Sequence, residues 1–276
     1  MASKGTKPWQ VPALIAGAFA AIAIFESLRP LRKRVESRTT RFPRNAFMAA
    51  STQVVTAVLQ EPLLSSSFGR GSSGVLGLLR IPRSLRPAAG VVLLDYTLWW
   101  WHWLNHEVPF FWRFHLVHHA DRDLDASTAI RFHFGEMSLS VLYRILQLRL
   151  IGADRRTHQV WQNLLVVSTF FHHSNIALNE RLEQFLVRLV VTPRMHGIHH
   201  SNYEDETDSN WSSLLSCWDW LHGTMRLDVP QDAITIGVPA YADPEDVTLP
   251  MMLATPFAAQ REDWVGRDGV TRIHRA

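Results

Sequence analysis

Nine histidines fall into short clusters across the middle of the chain, and imidazole is the side chain most used to bind transition metals. They read His102-x-x-x-His106, His115-x-x-His118-His119, His173, and His196-x-x-His199-His200. The triplet HxxHH therefore occurs twice, as HLVHH and as HGIHH. On a helix, residues three and four apart share a face, so each triplet is expected to present three imidazoles in one direction. Neutral imidazole suits iron, zinc, copper and nickel. Nine such ligands are too many for one ion and fit two metals side by side. Cys217 is the only cysteine, which excludes a disulfide framework and a cysteine-type zinc site.

The elements that must position these histidines read as membrane helices. Hydrophobic residues make up 47% of the chain and charged residues only 19%, while mean hydropathy is near zero. That combination is what apolar spans averaged with polar loops produce. Apolar runs cover residues 11–25, 46–64 and 88–104, with weaker ones at 137–151 and 158–171. The first is preceded by Lys4 and Lys7 and followed by Glu26 and Arg29 without a small-residue cleavage site, so it is expected to be a retained helix rather than a signal peptide. The third ends in Trp99, Trp100, Trp101 and Trp103, as an interfacial aromatic belt does. The weaker pair carries Arg144, Arg149, Gln159, Gln162 and Asn163, which calls for shielding in a bundle or at the interface. Residues 65–87 are rich in Ser, Gly and Pro and read as a loop with one short apolar turn.

Charge sets the expected orientation. Arg29, Arg32, Lys33, Arg34, Arg38, Arg41 and Arg44 crowd the loop after the first run, against Arg70, Arg80, Arg83 and Arg86 in the next. The positive-inside rule puts the first loop in the cytoplasm, where it would also meet anionic headgroups. Alternation of the later runs then brings every histidine cluster to that same face. The net charge of +3 is modest and its positive part is concentrated in this loop, which argues against a nucleic-acid partner. The fold expected is all-α: an integral-membrane bundle of about four to five short spans. Residues 1–90 hold N-terminal membrane helices and the basic loop, 91–225 the histidine region, and 226–276 an accessory or partly flexible tail.

Five stretches carry a family resemblance: DYTLWWWHWLNHEVPFFWRFHLVHHAD, TAIRFHFGE, HHSNIAL, TPRMHGIHHS and TDSNWSSLLSCWDWLHGT. In this order and spacing they resemble the fatty acid hydroxylase / sterol desaturase superfamily of integral-membrane di-iron enzymes, over about residues 91–225. The resemblance implies a helical membrane scaffold with a cytosolic histidine-rich cap holding two iron ions. It implies O2 as co-substrate, a lipid whose C–H bond is hydroxylated or desaturated, and an external electron donor such as a cytochrome b5-like protein, a ferredoxin or a reductase. Zinc could replace iron in isolated protein. The family's ligands carry over to His102, His106, His115, His118, His119, His173, His196, His199 and His200, with His133 of RFHFGE as the tenth. His172 competes with His173, but His173 directly precedes Ser174-Asn175 and matches better. Trp103 stands where many members have Arg, and His222 where many have Phe. His222, like His158 and His274, has no helical partner and is expected to be a non-ligand.

Polar neighbours offer supporting roles. Asp95, seven residues before His102, would either orient a ligand imidazole or be satisfied by a neighbouring helix. Glu136 would hydrogen-bond His133 or another ligand, or mark a helix start. Asp208 and Asn210 would brace the last cluster, and Asp219 is expected to pack. Two rival functions share the histidines. A zinc-dependent membrane hydrolase would need a Glu base as in HExxH, which is absent. A non-catalytic metal-binding or transport protein would place ligands near the bilayer midplane rather than at helix ends.

Overall fold

The computed structural model describes residues 7, 9–68, 74–261, 264–265 and 271–272; Lys4, Arg70 and His274 lie outside them. Regular structure among these residues is helical apart from one antiparallel pairing of Trp264–Val265 with Thr271–Arg272. Helix α1 (Gln10–Leu28) is the one described helix that is long and apolar enough to cross a membrane. Of the five expected spans, length and apolarity thus single out one. Its 19 residues rise about 28 Å, and Glu26 is its sole buried residue. Helix α2 (Arg38–Val55) begins where the Ser37 side chain accepts from the Thr40 N–H. A π turn over Thr56–Gln60 carries it into α3 (Glu61–Ser65), and the short apolar turn becomes α4 (Gly74–Leu78).

The helices that carry histidines are delimited by proline, glycine and capping side chains. Helix α5 (Arg86–Glu107) stops at extended Val108, and Pro109 opens α6 (Pro109–His119). Proline suits a first helical turn because its φ is already helical and its missing N–H would have had no partner. Helix α7 (Phe134–Ile151) ends at Gly152 with φ of 81°, a left-handed conformation that costs glycine nothing. Asp154 then caps α8 (Arg155–His173) by accepting from the Thr157 N–H at 2.7 Å. These two helices match the weaker apolar pair. Four short helices follow: α9 (Glu180–Leu186), α10 (Pro193–His199), α11 (Glu204–Thr207) and α12 (Cys217–His222). Helix α13 (Leu249–Ala254) lies in the tail.

The main apolar core takes Leu64 and Leu76 from α3 and α4, Leu94, Leu98 and Trp101 from α5, Leu148 and Ile151 from α7, and Trp161 from α8. The tail packs more closely than a loose accessory segment would. Val238, Tyr241, Val247 and Trp264 cover Trp112 and Leu116 of α6, and Met252 of α13 meets Val117 and Met48.

Several arginines of the basic loop are used inside the protein, while Arg29, Lys33 and Arg34 stay exposed. Arg41 is fully buried and grips Asp121 through two bonds of 3.1 and 2.7 Å and Asp125 through one of 2.6 Å. Arg44 forks onto Glu36 at 2.7–2.8 Å, Arg32 reaches Gln231 at 2.6 Å, and Arg38 pairs with Glu26. Burial alone would raise the Asp121 carboxyl, but Arg41 and Arg131 hold it well below the usual carboxylate range. Glu26 also accepts from the Ala126 and Asn175 N–H groups at 3.0 and 3.1 Å, so the end of α1 is fastened to the histidine region.

Candidate metal centre

Nine of the ten expected histidines converge at the C-terminal ends of four helices. His102 and His106 lie in the last turns of α5, His118 and His119 close α6, His173 closes α8, and His196 and His199 lie at the end of α10. Helix C-termini carry partial negative charge, which favours a cation there. All nine are at most 8% exposed.

They form two groups, in each of which one ligand nitrogen per ring lies within 4.8 Å of all the others. The first holds His102, His106, His115, His119 and His199; the second holds His118, His173, His196 and His200. Each HxxHH triplet is therefore divided, contrary to the expectation of three imidazoles facing one way. In HLVHH the outer pair, His115 and His119, enters the first group and His118 the second. In HGIHH the outer pair, His196 and His200, enters the second group and His199 the first. A step of three residues turns a helix by about 300° and a step of four by about 400°, so i and i+4 diverge from i+3 by enough to serve adjacent ions. The groups touch: the His119 and His200 rings stack at 4.3 Å and 13°.

The donor set fits a pair of metal ions. In the second group, the Nε2 atoms of His118 and His173, of His173 and His196, and of His196 and His200 approach to 3.0, 3.0 and 3.1 Å. Nitrogens bound at right angles about 2.1 Å from one ion would stand about 3.0 Å apart. In the first group, the Nε2 atoms of His115, His119 and His199 are buried and lack a hydrogen-bond partner among the described residues. Burial, reinforced by neighbouring imidazoles, pushes His118, His119, His196 and His200 well below the ordinary imidazole value. Burial likewise lowers His199 to about 3. Burial thus favours the neutral form of these five rings, which is the form that binds metal.

A set of acceptors behind the rings fixes their orientation. His102 Nδ1 lies 2.7 Å from the Trp211 carbonyl, His199 Nδ1 2.7 Å from the Ser209 carbonyl, and His173 Nδ1 2.8 Å from the Thr169 carbonyl. Glu136 receives His115 Nδ1 at 3.0 Å, and Asp208 stands 3.6 Å from His106 Nδ1. Asn210, at φ of 56°, donates to the Met195 and Arg226 carbonyls at 3.0 and 2.8 Å and so ties α10 to the following loop.

Asp95 Oδ2 accepts from the Leu215 N–H at 3.1 Å and Trp218 Nε1 at 2.7 Å, and its Oδ1 is buried without a hydrogen-bond partner among the described residues. Asp219 is instead the buried hub, accepting from Trp99 Nε1, the Trp211 and Ser212 N–H groups and the Thr224 hydroxyl. Through Trp211 it sets the carbonyl that holds His102. No sequence signal marked it beyond its place in the closing motif. His133 stands outside both groups: it caps α7 by accepting from the Gly135 N–H at 3.0 Å, its ring against Phe134 and Phe114. His222 also lies outside, stacked on Trp99 at 4.0 Å, and His158 packs against Trp161 and Phe68. His172 is buried beside His196, with ring centres 4.2 Å apart, but it belongs to neither group.

The region that contains this centre, residues 87–224, matches the sequence model of the family described as fatty acid hydroxylase. The chain belongs to the fatty acid hydroxylase family. Among curated relatives, ornithine lipid hydroxylase OlsE of Rhizobium tropici is 26% identical over 187 residues, covering 67% of this chain and 55% of the relative. Human alkylglycerol monooxygenase is 28% identical over 136 residues, 49% of this chain and 29% of the relative. A cholesterol 25-hydroxylase-like protein of Danio rerio is 28% identical over 157 residues, 55% of this chain and 59% of the relative. The chain thus spans between about a third and three fifths of these relatives. No solved structure matches this family member.

Proposed function

We propose that this fatty acid hydroxylase family member is a membrane-bound, di-iron oxygenase that hydroxylates a C–H bond of a lipid. The observation that carries the reading is the division of both histidine triplets between two touching, buried, all-histidine groups. The nine histidines named above would hold the two ions. Two irons held there and reduced by an external donor would supply activation of O2 and attack on an unactivated C–H bond. Hydroxylation is favoured over desaturation because the matched relatives are named hydroxylases and a monooxygenase.

The chain's own residues do the positioning. The Trp211, Ser209 and Thr169 carbonyls and Glu136 accept the far-side N–H of four rings and leave the opposite nitrogen facing inward. Burial excludes water and favours the neutral form of His118, His119, His196, His199 and His200. No carboxylate enters either group among the described residues, and Glu136 stands behind an imidazole, which disfavours a hydrolase with a Glu base. A transport site would lie near the bilayer midplane, whereas this centre adjoins the end of α1, where Glu26 accepts from the Asn175 N–H two residues after His173.

Membrane attachment is supported by α1 and by the apolar outer faces of α7 and α8. Leu142, Leu146 and Leu150 on α7 and Val160, Leu164 and Val167 on α8 are all exposed, at helical spacing. We place the histidine centre on the cytoplasmic side, in a multi-pass arrangement, on the strength of the basic loop that adjoins it.

Elemental analysis of protein purified in detergent tests the centre, with two metal ions per chain expected and iron in the active form. One ion or none in active protein would overturn the reading. Lipid analysis of a deletion strain, expected to lack a hydroxylated species that the intact gene restores, tests the reaction.

A further inference from the structure

The short helix α9 is built inside out for a protein in water. Leu182, Phe185 and Leu189 fall at i, i+3 and i+7 on one face of α9 and the turn that continues it, and they are 47%, 60% and 53% exposed. The opposite face holds Glu183 and Val187, both buried, with Val187 packed on Val191 and Met195. The charged residues Arg181 and Arg188 are exposed beside the apolar face, with Glu180 at the helix start. Helix α12 adjoins this segment, because Val190 pairs with Leu215 and the Ser216 N–H bonds the Leu189 carbonyl. It adds Trp220 and Leu221, 56% and 66% exposed. Five large apolar side chains on adjoining turns form more than the scattered exposure ordinary surfaces show.

The depth of this surface follows from its tether to α1. The Leu31 N–H donates to the Asn175 carbonyl and the Ala177 N–H to the Arg29 carbonyl, both at 2.8 Å. Residues 175–177 are therefore pinned where α1 ends, and Asn179, the cap of α9, follows two residues later. A helix of about 28 Å that crosses a hydrocarbon core of about 30 Å ends at the headgroup level, so α9 starts at that level. On its other side, α12 meets α5 where His222 stacks on Trp99 and edges onto Trp100.

We propose that α9 and α12 form an in-plane shelf that lies in the bilayer interface, with Leu182, Phe185, Leu189, Trp220 and Leu221 among the upper acyl chains. Arg181 and Arg188 extend to anionic headgroups at its edge, as basic residues on interfacial helices do. The occupant is the lipid surface itself. The inference rests on the reading of α1 as a membrane helix and goes beyond it, since neither short helix is long enough to span.

Single cysteines at Phe185 and, as a reference, at Leu14 of α1 in a Cys217→Ser background provide the test. Each carries an environment-sensitive fluorophore in full-length protein reconstituted into phosphatidylcholine–phosphatidylglycerol vesicles. The Phe185 label is expected to shift to the blue and to lose more emission to nitroxides near the lipid headgroup than to aqueous iodide. The Leu14 label should respond most to nitroxides deep in the acyl chains. Quenching at Leu14 with a Phe185 label open to iodide would overturn the shelf while leaving the membrane helix standing. Iodide access at both positions would remove the membrane reading itself, and the shelf with it. A Phe185 label shielded from both quenchers, with self-quenching that falls as protein is diluted in lipid, would assign the face to a second copy and overturn the proposal. Arg181→Glu with Arg188→Glu is expected to reduce nitroxide quenching at Phe185 in anionic vesicles and not in pure phosphatidylcholine.

Discussion

The two histidine groups share a chemistry and differ in what stands behind them. In the five-histidine group, three rings are held from the far side by Trp211, Ser209 and Glu136, and a fourth faces Asp208. In the four-histidine group, only His173 is held this way, by the Thr169 carbonyl. The Nδ1 atoms of His118, His196 and His200 are buried and have no hydrogen-bond partner among the described residues. One group is thus oriented by the protein before any ion arrives, whereas the other leans on the ion. An imidazole with a fixed far-side acceptor keeps its tautomer and ring angle, and gains basicity at the ligating nitrogen. An unheld ring must be ordered when the metal binds, and that ordering subtracts from affinity. The two ions are therefore expected to differ in affinity, with the four-histidine group weaker.

The largest test of that pairing removes ligands. Alanine at His118, His119, His199 or His200 should abolish lipid oxidation at equal protein level in the membrane. Metal counts then sharpen the comparison. Loss of His118 should leave about one ion per chain, because the preorganised group survives it, whereas loss of His119 should release more. Equal retention in both variants would show that the groups do not bind independently. Full activity in the His119 or His200 variant would defeat the di-iron assignment.

Next in size is the buried Arg41, which fastens α2 to the loop that follows α6. Arg41→Met leaves Asp121 buried with a single cation nearby, Arg131 at 3.8 Å, and should cost about 3–5 kcal/mol in unfolding measurements. The sign with pH is fixed. In the native chain the Asp121 carboxyl is held low, so its contribution is present above the ordinary carboxylate range and is lost as pH falls below it. Without Arg41, burial penalises the charged form, so the deficit should shrink in acid and be greatest at neutral pH.

Glu136→Gln targets the far-side acceptor of His115 and should lower affinity in the five-histidine group about 10–100-fold. Removal by a chelator should be biphasic in the native protein, with the four-histidine ion leaving first. In the variant the two phases should merge. Unchanged phases would mean that the difference between the groups lies elsewhere than in these acceptors.

The histidine spacing carried the centre in the sequence because i, i+3 and i+4 on a helix bind ligands to one neighbourhood whatever the rest of the chain does. What spacing could not show is the division of each triplet, since it depends on where the second ion's ligands arrive from α8 and α10. The apolar hairpin of α7 and α8 was legible in its two apolar runs. The basic loop was legible as charge, but composition does not show that Asp121 and Asp125 arrive 80 or more residues later to bury Arg41. For Asp95, helical phase with His102 fixes a face but not the Leu215 and Trp218 donors that come to it. The Trp211, Ser209 and Thr169 carbonyls are backbone groups and leave no trace in residue type at all.

The smallest expected effect concerns the histidines that stand outside both groups, and it bears on how many ligands the centre needs. His222→Phe should leave most activity, because the ring only stacks on Trp99 and a phenyl ring can occupy the same slot. His133→Ala is more discriminating. The ring is fully buried, and its Nδ1 accepts the Gly135 N–H at the start of α7, so the substitution opens a cavity and loses a cap. Loss of a cap costs typically about 1 kcal/mol. His133→Asn restores a capping acceptor without an imidazole. If His133 acts only as the cap, the Asn variant should recover the thermal stability lost in the Ala variant and bind the native number of metal ions. A stable Asn variant that has lost an ion would instead make His133 a tenth ligand, drawn in toward His115 along Glu136, and would erase the nine-histidine assignment.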